Sequence, residues 1–210
     1  ETRYASIENG DVDLIFGGYN QELVRAAQNP NLRVYYGTGN AGEYLYFNFT
    51  RAPFDDRRMR EALIRSLDLK ALAASQYSGR LVSATSLFTE TSPYHSAAAS
   101  QAWPAYDPER AKQLIAEYRA DGGNPDFTFK TTQTRVPFGE FLQAQMAAVG
   151  INVQLQFYDL AQYSSSVVQS NDFQLTTWIG TFETPFPGVT RLLHTGGNTN
   201  YGKYSNPQVD

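Results

Sequence analysis

The run Trp178-Ile179-Gly180-Thr181-Phe182-Glu183-Thr184-Pro185 gathers the groups that a non-covalent binding site uses. An indole offers a flat apolar wall and one N–H donor. A second aromatic ring, a hydroxyl and a carboxylate stand close behind it in sequence. The run leaves the end of Asp172-Phe173-Gln174-Leu175-Thr176-Thr177-Trp178, which reads as a strand. In open α/β sheets, ligands gather beyond the carboxyl ends of strands. A tryptophan that only closes a core at a strand end is the competing reading, and the residues leave both open.

Covalent chemistry has less to work with. The two histidines, His95 and His194, lie far apart and lack metal-ligand spacing. His194 follows Leu192-Leu193 and reads as a helix-end residue. The chain has no cysteine, which removes thiol nucleophiles, disulfides and sulfur-ligated zinc. No G-x-S-x-G elbow presents a serine. Asp55 and Asp56 sit before an apolar stripe and read as a helix cap rather than an acid–base pair. Gly37-Thr38-Gly39-Asn40-Ala41-Gly42 spells G-x-G-x-x-G, but a dinucleotide fingerprint must open a helix, and here the glycines precede an alternating strand. A turn between two strands is the reading we take. No enzyme activity, metal or cofactor is expected. A hydrolase using paired carboxylates and a protein-interaction module using the aromatic-rich segments are the rival readings.

With 210 residues, 41% of them hydrophobic, the chain can bury a real core as one domain or one domain with an appendage. A net charge of -4 and a pI near 5.2 leave no basic stripe for nucleic acid or an anionic membrane. Arg57, Arg58, Arg60 and Arg65 form the one basic cluster. They read as a solvated helix face paired with Asp55, Asp56, Glu61 and Asp68. No apolar run approaches the roughly 20 residues of a membrane helix. Residue 1 is Glu and no signal peptide is visible. The end at residues 204–210 reads as the start of a helix whose body is missing. The chain therefore reads as a piece of a longer protein.

These residues need positioning elements. The pattern predicts a helix over Arg3–Asn9 closed by Gly10, a strand over Val12–Phe16, a helix from Asn20 to Gln28 and a strand over Leu32–Tyr36. Glu43–Phe49 alternates, with Tyr44, Tyr46 and Asn48 on one side and Leu45, Phe47 and Phe49 on the other. Pro53 stops that ladder. Met59, Ala62, Leu63, Ser66 and Leu67 then form one helical stripe. Leu69–Tyr77 continues helically to Ser78-Gly79. Residues 80–106 show little periodicity and read as a long loop, which in a compact domain is functional or disordered. Asp107-Pro108-Glu109 opens a helix with Ala111, Leu114, Ile115 and Tyr118 inward. Then follow a strand at Phe127–Thr131, a helix at Pro137–Val149 with Phe138, Phe141, Leu142 and Met146 inward, a strand at Ile151–Tyr158 and a helix from Asp159 to Gln169. The strand–helix–strand unit calls for parallel pairing.

The run from Asn48 to Asp68 places Asn48, Arg51, Pro53, Phe54, Asp56, Arg58, Arg60, Ala62, Leu63, Ser66, Leu67 and Asp68 at fixed spacing. It resembles the signature of the large solute-binding proteins of ABC importers, the oligopeptide, dipeptide and nickel group. Tyr106-Asp107-Pro108-Glu109 with Ala111, Lys112, Leu114 and Ile115, and the unit Gly150-Ile151-Asn152-Val153, are similar to two further elements of that family. Residues 7–13 resemble its helix-G-x-x-D-strand unit at the end of the first lobe.

The resemblance implies a mixed α/β sheet flanked by helices, the second lobe of a two-lobe periplasmic-binding-protein-like fold. Residues 1–36 would be the tail of the first lobe and the crossover, and 37–210 a truncated second lobe. A crossover between lobes that carries a hinge is the alternative reading of the glycine run. The implied function is capture of a peptide or other polar solute between lobes and delivery to a membrane permease, by a monomer. The implied place is periplasmic or otherwise extracytoplasmic, with a lipid anchor on the full protein left open. The Trp178 run is similar to the family's W-x-x-D-Y-x-x-P motif, whose Asp pairs with a peptide's α-ammonium. Trp178, Phe182 and Pro185 match, while Thr181 stands at the Asp position. The resemblance thus implies Trp178, Ile179, Thr181 and Phe182 as ligand contacts, and Glu183 as a displaced carboxylate. Without that Asp, the solute need not be a peptide with a free amino terminus. Ser86, Phe88 and Tyr94, in the loop that approaches the ligand in the family, are further candidates, with plain surface residues as the alternative.

Overall fold

A computed structural model describes residues 2–16, 21–35, 37, 41–80, 83–182 and 184–210. The elements run α1 (Thr2–Glu8), α2 (Gln21–Gln28), β1 (Ala41–Phe47), α3 (Arg57–Ser66), α4 (Leu69–Gln76), α5 (Ala97–Ala102), α6 (Pro108–Ala120), β2 (Phe127–Thr132), α7 (Val136–Ala148), β3 (Val153–Tyr158), α8 (Leu160–Gln162), β4 (Leu175–Thr181) and α9 (Thr190–Leu193). The chain forms two compact units, residues 1–38 with 69–83 and residues 39–68 with 84–210. In the first, α1 ends at Gly10 in the left-handed conformation, and Arg25 of α2 lies over the Tyr4 ring at 4.8 Å.

The second unit holds a four-stranded mixed sheet in the order β1-β4-β2-β3, flanked by helices. β2 runs parallel to β3 and β4, and β1 runs antiparallel to β4. The carboxyl ends of β2, β3 and β4 therefore share one edge with the start of β1. Asp56 caps α3 by accepting from the Arg58 amide, and Met59, Ala62, Leu63 and Ser66 are its buried face. Arg58 pairs with Asp56 and Asp121, and Arg65 with Glu61, so much of the basic cluster is a paired helix face. Asp107 caps α6, whose buried stripe is Ala111, Leu114, Ile115 and Tyr118. Phe54 packs edge-on to Phe127 at 4.8 Å, and Leu142 and Met146 of α7 are fully buried. Removing one such side chain costs about 2–5 kcal/mol.

Several expectations fail. Val12–Phe16 is not a strand: Leu14 and Phe16 are exposed, and no described strand lies beside them to complete a ladder. Residues 32–35 are likewise irregular, and Tyr36 lies outside the described residues. Alternation gives a strand only where a partner accepts its backbone groups. Ala41 and Gly42 belong to β1, so the glycine run opens a strand; Thr38, Gly39 and Asn40 lie outside the described residues, as does Asn20. The long loop contains α5, an Ala/Ser/Gln helix with no buried residue, capped by Ser96. The helix after Asp159 widens into π-helical turns at Tyr163–Gln169. β4 runs Leu175–Thr181, starting and ending three residues later than the pattern suggests, and the Gln174 carbonyl just before it accepts from the Asn48 amide.

Candidate functional site

Register along β1 and β4 places Tyr44 opposite Trp178, Tyr46 opposite Thr176 and Gly42 opposite Gly180. Side chains alternate across a strand, so these residues share one face of the sheet. The Tyr44 ring lies over Gly180 and its hydroxyl donates to the Gly180 carbonyl at 3.2 Å. A Cβ at Gly180 would stand 3.1 Å from that ring and 3.3 Å from Phe182, so a larger residue would push the two rings aside. Tyr44 and Phe182 approach with centroids 5.2 Å apart. Trp178 stacks on Tyr163 at 6.1 Å and meets Tyr201 edge-on at 6.2 Å. The result is a concavity of about 200 Å³, lined also by Tyr46, Ile179, Thr181, Gly188, Arg191, Leu192 and Thr199.

Its floor is held from below. Tyr163 is buried, and its hydroxyl lies 2.6 Å from the Thr176 hydroxyl and bonds the Thr177 carbonyl. Burial raises the Tyr163 pKa, so the phenol stays protonated. Thr176 in turn donates to the Lys130 carbonyl of β2 at 2.6 Å. Val167, Val168 and Phe173 complete this small core, against which Tyr46, Trp178 and Tyr201 pack.

The rim at residues 199–202 is pinned by two asparagines and one glycine. Asn200 is buried; its amide donates to the carbonyls of His194 and Tyr204, and its carbonyl accepts from the Tyr204 amide. Asn171 donates to the Tyr201 carbonyl at 2.7 Å. Phe49 donates to the Gly202 carbonyl, and a Cβ there would reach 2.5 Å from the Phe47 carbonyl oxygen. Only glycine tolerates so close a backbone approach.

The electrostatics are one-sided. Among the described residues that line the concavity, Arg191 alone is charged. Its Nε donates to the Pro187 carbonyl at 3.4 Å, and it has no carboxylate partner among the described residues. Tyr46 carries the one buried side-chain polar atom without a hydrogen-bond partner among the described residues. Burial raises the pKa of Tyr46 and pushes that of Tyr44 up to about 12, so both remain neutral donors. Glu43 belongs to the opposite face of β1, where it meets Arg135 at 2.8 Å. Its carboxyl is held above the ordinary range because burial outweighs the Arg135 guanidinium.

Trp178, Ile179, Thr181 and Phe182 all line the concavity, although strand alternation sets Ile179 and Thr181 on the face of Glu43; Glu183 lies outside the described residues. The strand persists through Thr181, so Trp178, Ile179 and Thr181 belong to β4 and Phe182 follows it directly. Trp178 is half-buried and serves core and wall at once. Ile179 is exposed and Phe182 is buried. Ser86, Phe88 and Tyr94 do not line the concavity. They form their own cluster, with Phe88 and Tyr94 rings 5.5 Å apart and the Ser86 hydroxyl accepting from the Phe88 amide. Tyr44, Tyr46, Arg191, Leu192, Thr199 and Tyr201 join Trp178 and Phe182 at the concavity; the alternation of β1 is the sequence signal for the first two, and the other four carry none. A second hollow of about 230 Å³, lined by Thr132, Gln133, Thr134, Tyr158, Asp159 and Leu160, opens at the ends of β2 and β3. Among the described residues no His, Cys, Asp and Glu cluster could hold a metal, and no helix is long and apolar enough to cross a membrane.

The family model for the middle region of bacterial extracellular solute-binding proteins, family 5, matches residues 1–200. The chain belongs to this family. Among family-5 relatives, it is 28% identical to the heme-binding protein A of Haemophilus influenzae, covering all of this chain and 40% of that protein. It is 30% identical to the glutathione-binding protein GsiB of Salmonella choleraesuis, covering 79% of this chain and 32% of the relative. The fold matches the periplasmic binding protein DppA of Helicobacter pylori, solved with the peptide STSA, at a TM-score of 0.85 and 21% identity over 99% of this chain and 41% of that one. The chain thus spans about two-fifths or less of these family-5 proteins.

Proposed function

We propose that this chain supplies one wall of the solute cleft of an ABC importer's binding protein, working outside the cytoplasmic membrane. Residues 37–210 act as the second lobe, and residues 1–36 as the tail of the first lobe with the crossover. The whole protein closes two lobes on a peptide or another polar solute and presents it to a membrane permease; closure of this kind buries the ligand between lobes. The observation that carries the reading is the aromatic concavity on the β1–β4 face, where Tyr44, Trp178, Phe182 and Tyr201 line a hollow at the carboxyl end of a strand. Family membership and the named cargoes of the relatives, heme and glutathione, support it. Trp178, Thr181 and Phe182 are the contacts we assign. The reading is non-covalent, and nothing in it needs a bond to break.

The test is native mass spectrometry of the full-length protein as purified. A retained solute mass, lost in Trp178→Ala while the variant stays folded, is the expected result. A solute retained equally by Trp178→Ala would overturn the assignment of this wall.

A further inference from the structure

We propose that the concavity selects solutes carrying an anionic group, and that Arg191 reads the charge. The inference rests on the reading of this hollow as a solute wall. Its basis is the charge pattern of the lining. Aromatic side chains and backbone make up most of the surface, Thr181 is uncharged where the resemblance places an aspartate, and Arg191 is the one charged lining residue described. A solute ammonium would find no described carboxylate there. A solute carboxylate, phosphate or sulfonate would find a guanidinium.

The geometry of Arg191 suits that task. Its backbone carbonyl accepts from the Thr199 amide at 3.4 Å, and its Nε is tethered to the Pro187 carbonyl. Both terminal nitrogens are left with no protein partner among the described residues. Those nitrogens form the fork that grips a carboxylate or phosphate through paired charge-assisted bonds. Arg191 is exposed at the edge of a hollow walled by Tyr44, Trp178 and Tyr201, so its guanidinium is open to a solute seated there. A guanidinium fork with no described carboxylate beside it favours a ligand that accepts hydrogen bonds over one that donates them.

The test uses full-length protein stripped of solute by unfolding and refolding, then exposed to an equimolar library of N-acetylated tripeptides. Each tripeptide is present as the free carboxylate and as the carboxamide. Acetylation removes the ammonium, so the two forms differ only at the group in question. Native mass spectrometry reads which masses are retained. The expected result is enrichment of the carboxylates by about 10- to 100-fold, the scale of a charged hydrogen bond. Arg191→Gln abolishes the enrichment but keeps the carboxamides bound, and Arg191→Lys restores part of it. Equal retention of both forms by the natural protein, or a preference that survives Arg191→Gln, overturns the proposal and leaves the solute-wall reading standing. Retention of no tripeptide, together with no co-purifying solute, overturns both.

Discussion

Asn48 lies just past the end of β1, and every polar atom of its side chain is engaged. Its amide donates to the Asn171 and Phe173 carbonyls at 3.2 and 3.0 Å, and its carbonyl accepts from the amide and hydroxyl of Thr50. Arg51 beside it meets Asp172 at 2.9 Å, and Lys130 meets the same carboxylate at 2.7 Å. Along the concavity, by contrast, the Tyr46 hydroxyl is buried without a partner among the described residues, Arg191 has no counter-ion described, and Ile179 is 62% exposed. One cluster is internally satisfied, the other is not. Buried polar groups in folded proteins are nearly always paired, and an exception calls for a partner such as water, an ion or a ligand, or for local strain. The contrast separates two meanings of a strong motif. The Asn48–Asp68 signature carries the resemblance to the family, yet its residues hold the sheet-bearing unit together. The weaker Trp178 run faces the hollow.

Substitutions can break this contrast. Asn48→Ala should have the largest effect, about 2–4 kcal/mol of stability, because it strands the Asn171 and Phe173 carbonyls and the Thr50 donors. Urea denaturation followed by tryptophan fluorescence measures it, and solute preference in the folded fraction should not change. Trp178→Ala should act the other way round, weakening solute retention by about 10- to 100-fold as loss of a binding hot spot does. A competition titration on the full-length protein reads that change.

Asp172→Asn should be mild, under about 1 kcal/mol, since the Asp172 side chain is 52% exposed and its ion pairs are screened. Its pH dependence has a definite sign. Hydrogen bonds from Lys130, then from Arg51, hold the Asp172 carboxyl below its ordinary value of 3.8. Its contribution is therefore present above that value and is lost as the pH falls through the depressed one. The gap between wild type and Asp172→Asn should hold at pH 7 and close in acid. Tyr46→Phe should be the smallest change, near zero in melting temperature or slightly stabilising, because no protein hydrogen bond is lost. A loss above about 1 kcal/mol would show that the hydroxyl has a structural partner after all.

Local chemistry made parts of the fold legible. The stripes of α3 and α6, their Asp56 and Asp107 caps and the alternation of β1 depend on neighbours a few residues away. Val12–Phe16 and residues 32–35 show where that reasoning stops, since a strand needs a partner that no local pattern supplies. α5 escaped because its Ala/Ser/Gln run buries nothing and so shows no periodicity; Ser96, which accepts from the Ala99 amide, was its one cue. At the site, Trp178 and Phe182 were visible as residue types. Arg191, Thr199 and Tyr201 were not, because the bonds of Asn200 and Asn171 bring that loop back to the sheet, and those contacts are set by tertiary folding.

The chain contains two tryptophans, and they test the central claim against each other. Trp178 lines the concavity, whereas Trp103 ends α5 at 44% exposure and takes no part in it. Hydroxyl-radical footprinting of the full-length protein, loaded with its solute and then stripped of it, reports the accessibility of both side chains in one experiment. The account predicts that Trp178 oxidises several-fold more slowly in the loaded protein while Trp103 is unchanged. Equal oxidation of Trp178 in the two states, with the solute demonstrably bound, would contradict it.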